Sequence, residues 1–172
     1  EQGSELARLV ASRTAMLVDY QDGAYARRYA ARVELVRSVE AERVPGSSAL
    51  TEAVAFSLFK LMAYKDEYEV ARLHRDPAFR RELADRYGDD AAYHFMLHPP
   101  VLKALGMDRK IAVPAAAGQV MFGALAPLKR LRGTKLDVFG RDHVRVIERE
   151  LIAEYEALLD EICARLDERN HA

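Results

Sequence analysis

The densest set of reactive side chains lies between Met62 and Leu73, where Tyr64, Lys65, Asp66, Tyr68, Glu69 and Arg72 crowd together. On one continuous helix Lys65 would meet Glu69, Tyr64 would meet Tyr68, and Tyr68 would meet Arg72 at i,i+4, with Glu69 and Arg72 at i,i+3. Two readings fit that spacing. One is a solvated face laced with ion pairs worth a few tenths of a kcal/mol each. The other is a buried polar network at a domain contact, in which the tyrosines provide apolar bodies and Arg72 a planar fork. A second cluster, His94 and His98, has the spacing that bridges one helical turn, with Asp89 and Asp90 just upstream. As zinc ligands the pair is incomplete, because the local sequence offers no well-placed third ligand and Pro99 works against regular helix at His98. The single cysteine, Cys163, excludes an intramolecular disulfide and an all-cysteine metal centre within one chain. It lies on an apolar helical stripe with no nearby histidine to lower its pKa, which makes it a core residue rather than a nucleophile. The basic run from Lys129 to Lys135 suits an anion or a helix C-terminus. No nucleophile elbow, phosphate-binding glycine loop or dinucleotide fingerprint occurs.

Composition narrows the partners. The chain has 172 residues, half of them hydrophobic, enough for a core without disulfides. Lys plus Arg is 26 and Asp plus Glu is 27, a net charge of −1 that lacks the basic excess of a nucleic-acid or acidic-membrane binder. No apolar run approaches the ~20 residues of a membrane span, and Glu1-Gln2-Gly3-Ser4-Glu5 lacks the order of a signal peptide. The expectation is a cytoplasmic, reducing environment.

The elements that must position these residues are helical. Tyr25, Tyr29, Val33 and Val36 recur at helical spacing, predicting one long helix over 4–43 or two joined near Gln21-Asp22-Gly23, with Asp22 able to cap the second. Unbroken, it would be a rod of about 60 Å. Val44-Pro45-Gly46-Ser47-Ser48 is the clearest break. Thr51 is expected to cap a helix running to about Leu73 on Val54, Leu58, Leu61 and Met62. Asp76-Pro77 starts a shorter helix closed near Tyr87-Gly88. Residues 89–114 admit helix, strand or extended chain. A small-residue helix follows over Ala115–Leu131, bent at Pro127, then a loop from Arg132 to Gly140. The last helix is marked by Val144, Ile147, Leu151, Tyr155, Leu158, Ile162 and Leu166, widened by Ile152, Leu159 and Cys163 to a globular face. The predicted class is all-α: an irregular helical bundle with a long N-terminal helix or helix pair and a long C-terminal helix, divided into an arm (1–44) and a bundle (45–172) of one domain overall.

Four boxes carry a likeness to a known family: Leu58 to Leu73; Pro99-Pro100; Leu131-Arg132-Gly133-Thr134 with Asp137, Phe139 and Gly140; and Leu151-Ile152-Ala153-Glu154-Tyr155. Their order and spacing resemble the C-terminal helical region of fused indolepyruvate ferredoxin oxidoreductases, roughly from Leu50 to Leu166. Met96 departs from the histidine expected before the paired prolines. The resemblance implies a parent enzyme that oxidatively decarboxylates arylpyruvates to acyl-CoA with thiamine diphosphate, magnesium and iron–sulfur clusters. With no Gly-Asp-Gly and one cysteine, this chain receives none of the family's catalytic or cofactor residues. What it implies here is a non-catalytic helical domain supporting assembly. Its partners are other domains of the parent or a second protomer, not nucleic acid or membrane, with Tyr64, Lys65, Asp66, Tyr68, Glu69 and Arg72 as the contact face. The alternative is a free-standing helical interaction module with no redox role.

Overall fold

The computed structural model describes residues 2–88, 92–97 and 110–171. Its architecture is all-α, with one small two-stranded sheet among the described residues. The chain folds as two compact units: residues 1–64 with 141–172, and residues 65–140. This grouping differs from the expected arm and bundle, because the N-terminal helices and the last helix share one core.

In the first unit, α1 (Gln2–Tyr20) and α2 (Gly23–Arg43) form the expected helix pair. The joint is where Asp22 sits in extended backbone and accepts the Tyr25 N–H at 2.8 Å. Two helices, not the ~60 Å rod, result. From α2, Ala26, Tyr29, Val33 and Val36 enter a core with Leu6, Leu17 and Tyr20 of α1. α3 (Ala49–Met62) adds Val54, Ala55, Leu58 and Met62, and α7 (His143–Arg165) adds Ile152, Leu159 and Cys163.

Both ends of α3 correct the sequence expectation. Ser48 is the N-cap residue, and Thr51 lies inside the helix. The Ala49 N–H goes to the Ser47 hydroxyl oxygen at 3.3 Å, and the next two N–H groups go to a side chain from α2. The buried Glu40 carboxylate accepts from Leu50 N and Thr51 N at 2.9 Å, from the Thr51 hydroxyl at 2.6 Å and from the Ser47 hydroxyl at 2.8 Å. At the other end α3 stops at Met62 rather than continuing to Leu73. Carbonyls freed at a helix end need donors. The Tyr25 hydroxyl donates to the Met62 carbonyl at 3.0 Å and the Tyr20 hydroxyl to the Tyr64 carbonyl at 2.9 Å.

The second unit begins with α4 (Glu67–His74) and α5 (Pro77–Tyr87). Asp76 and Pro77 start α5 as expected, with Asp76 accepting from Ala78 N at 2.8 Å, and Gly88 closes it at φ 87°. Within the segment left open by the sequence, β1 (His94–Leu97) pairs antiparallel with β2 (Ile111–Pro114), Phe95 opposite Val113. α6 covers Ala115–Leu125, and a 3-10 helix over Ala126–Leu131 replaces the bent continuation at Pro127. Ala71, Phe95 and Phe122 form this unit's core. Gly118 of α6 lies so close to the Phe95 ring that a methyl group there would collide with it.

The last helix corrects one further expectation. Its core face is Ile152, Leu159 and Cys163, with Leu166 just beyond the end, whereas Val144, Ile147, Leu151, Leu158 and Ile162 face solvent.

Candidate functional site

The break between α3 and α4 turns the 62–73 cluster into something other than a helical face. Asp66 sits in extended backbone as the N-cap of α4, its Oδ1 accepting from Glu69 N at 2.8 Å. A carboxylate there satisfies a free amide and complements the positive helix end. Tyr68 follows on α4, wholly buried. The loop after the 3-10 helix supplies the partners. Arg132, also buried, donates from Nε to Asp66 Oδ2 at 2.5 Å and from Nη2 to Asp66 Oδ1 at 2.7 Å, a two-pronged pair. The Tyr68 hydroxyl donates to Asp137 Oδ1 at 3.1 Å, and Asp137 also accepts from Gly140 N at 2.9 Å and Gly133 N at 2.7 Å. The Phe139 ring stands edge-on to Tyr68, centroids 5.2 Å apart, and the Arg132 guanidinium lies 5.6 Å from the Tyr68 ring centre. Gly140 is required at its position, since a Cβ there would overlap the Asp137 carboxylate.

Electrostatically the cluster is a closed knot. Burial, then the neighbouring Asp137 carboxylate and its hydrogen bond, then Asp66, push the Tyr68 phenol up to about 12, so it stays a donor across the neutral range. Asp66 is neutralised by Arg132, and Asp137 accepts three hydrogen bonds. Both carboxylates are thus engaged by donors of their own unit.

The six residues expected as a contact face are therefore distributed differently. Asp66, Tyr68 and Glu69 are buried in the second unit, and Tyr64 is buried in the core of the first. Lys65 is exposed and Arg72 half-buried. Tyr64 and Lys65 precede α4, which starts at Glu67, so the single helix on which Lys65 with Glu69 and Tyr64 with Tyr68 were spaced at i,i+4 does not form. The Glu69–Arg72 pair does form, two-pronged at 2.7 and 2.8 Å. Of the basic run, Arg132 meets an anion within its own unit, the Asp66 carboxylate. His94 opens β1 and is exposed, so the helical turn that would aim it at His98 does not exist over 94–97; His98, Asp89, Asp90 and Pro99-Pro100 lie outside the described residues. Among the described residues no three His, Cys, Asp or Glu side chains gather as for a metal ion. Cys163 is a buried core thiol, pushed up by burial and then by Asp160. No helix of the described residues is long and apolar enough to cross a membrane.

Sequence reasoning missed Glu40 as the cap of α3. It also missed His74, whose ring lies 4.9 to 5.1 Å from Phe79, Phe95 and Phe122. Neither carries a local signal, since their partners come from other elements.

A family model described as a family of unknown function, DUF6537, matches residues 6–172. No curated protein and no solved structure matches the chain.

Proposed function

The chain belongs to the DUF6537 family, whose function is not established, and on that premise we propose that it is a non-catalytic helical domain of a cytoplasmic, fused indolepyruvate ferredoxin oxidoreductase. In this reading it supports the assembly of domains or subunits. The parent carries thiamine diphosphate, magnesium and iron–sulfur clusters elsewhere and oxidises arylpyruvates to acyl-CoA. One observation carries the reading. Two of the sequence boxes on which the resemblance rests, Leu58–Leu73 and Leu131–Gly140, meet in one knot through Asp66–Arg132 and Tyr68–Asp137. Boxes whose polar residues bind each other serve a shared scaffold, and their occupied carboxylates suit no turnover chemistry.

The test uses the native protein. An antibody against residues 1–172 is expected to detect a band several times larger than 19.4 kDa. The captured material is expected to reduce a viologen dye with indolepyruvate and coenzyme A. Arg132→Met leaves Asp66 buried and unpaired, so it should cost about 3–5 kcal/mol of domain stability and lower the assembled fraction. A 19.4 kDa band without such activity and without a bound oxidoreductase would overturn the reading in favour of a free-standing interaction module.

A further inference from the structure

Five large apolar side chains of α7, Val144, Ile147, Leu151, Leu158 and Ile162, are 39–55 % exposed. Half-buried Tyr155, which also packs against the core, completes the row, whose members follow at intervals of three, four, four, three and four residues. At 3.6 residues per turn this is a straight stripe within about 80° of arc and about 27 Å long. The core-facing residues Ile152, Leu159 and Cys163 form a separate face. The helix therefore has two apolar faces, and the unit's core uses one. An uncovered stripe of this extent marks an interaction surface.

The edge of the stripe away from the core is acidic. Glu150 and Glu154 are exposed and have no ion-pair partner among the described residues, while Glu161 pairs with Arg165 at 2.7 Å. We propose that the stripe is the docking site of a partner polypeptide's amphipathic helix whose edge carries Lys or Arg. An apolar face laid along Val144 to Ile162 removes that surface from water, and basic side chains then meet Glu150 and Glu154. A second copy fits worse, because an antiparallel pair of α7 helices sets these glutamates against their own counterparts. An anionic membrane surface would be repelled by the same edge. The inference stands on this exposed face and does not depend on the oxidoreductase reading.

Three synthetic helices test it by fluorescence anisotropy against the full 172-residue chain: one with a leucine stripe edged by lysines, one with the same stripe edged by glutamates, and one with the lysine peptide's residues scrambled. The lysine-edged helix should bind at least about tenfold tighter than the other two. Leu151→Lys with Leu158→Lys, both at exposed positions, should abolish binding without changing the helical spectrum. Glu150→Lys with Glu154→Lys should reverse the preference toward the glutamate-edged helix. Equal binding of all three peptides, or binding untouched by the leucine changes, would overturn the proposal. So would a chain that sediments as a dimer and becomes monomeric on Leu151→Lys with Leu158→Lys, since the occupant would then be a second copy.

Discussion

Glu40 shows how one residue can hold two elements together. Its carboxylate is buried on α2, yet all four of its hydrogen bonds go to the start of α3 or the turn before it. Burial alone would raise its pKa and is the largest single effect. The Thr51 hydroxyl, the Leu50 and Thr51 amides and the Ser47 hydroxyl together outweigh it and hold the carboxyl below its ordinary value. A depressed folded-state pKa stabilises the fold above the unfolded value, about 4.3 for glutamate, and the contribution is lost as pH falls through the folded-state value. Glu40→Gln should therefore cost about 1.5–3 kcal/mol at pH 7. It should also flatten the loss of stability below pH ~4.3, as read by urea melts across a pH series. An unchanged acid limb in the variant would show that Glu40 is not the group responsible.

At the scale of elements, packing decided what spacing left open. α6 carries two glycines with opposite surroundings. Gly118 is pressed on the Phe95 ring of β1, while a Cβ at Gly123 would meet open space. Gly118→Ala should destabilise the second unit by about 1–3 kcal/mol, because the ring must leave its place among Phe122 and His74. Gly123→Ala should stabilise it by about 0.4–1 kcal/mol, since it removes backbone freedom from the unfolded chain at no steric cost. Thermal melts of the two variants, moving in opposite directions, check the pairing of α6 with β1. Both glycines look alike in the sequence, as small residues of one helix, and only the neighbour distinguishes them.

At the scale of the whole molecule, the first unit is discontinuous, built from residues before 65 and after 140. Its core runs from Leu6 to Cys163 among the described residues and joins α1, α2, α3 and α7. The two ends of the cut are tied within that unit, for the Arg145 guanidinium lies 5.8 Å from the centre of the Tyr64 ring. Replacing 65–140 by a short Gly/Ser linker should therefore leave a cooperatively melting helical protein made of α1, α2, α3 and α7. A shortened chain with helical content but no cooperative transition would mean that the first core is incomplete by itself.

What residue order alone determined was the class, the starts of α2 and α5 and the close of α5. Asp22, Asp76 and Gly88 act within a few residues of themselves, and apolar spacing along α2 and α7 is a property of each segment, so local physics sufficed. It even exposed the stripe of α7, but not which of its two apolar faces the core would take. The end of α3 was decided by Tyr20 and Tyr25, more than 30 residues away. The character of the 62–73 cluster was decided by Arg132 and Asp137, more than 60 residues away. A carboxylate reads the same in sequence whether water or a guanidinium faces it. Only the fold, by burying Asp66 and Arg132 together, made Asp66 and Tyr68 of the sequence cluster part of an internal clamp.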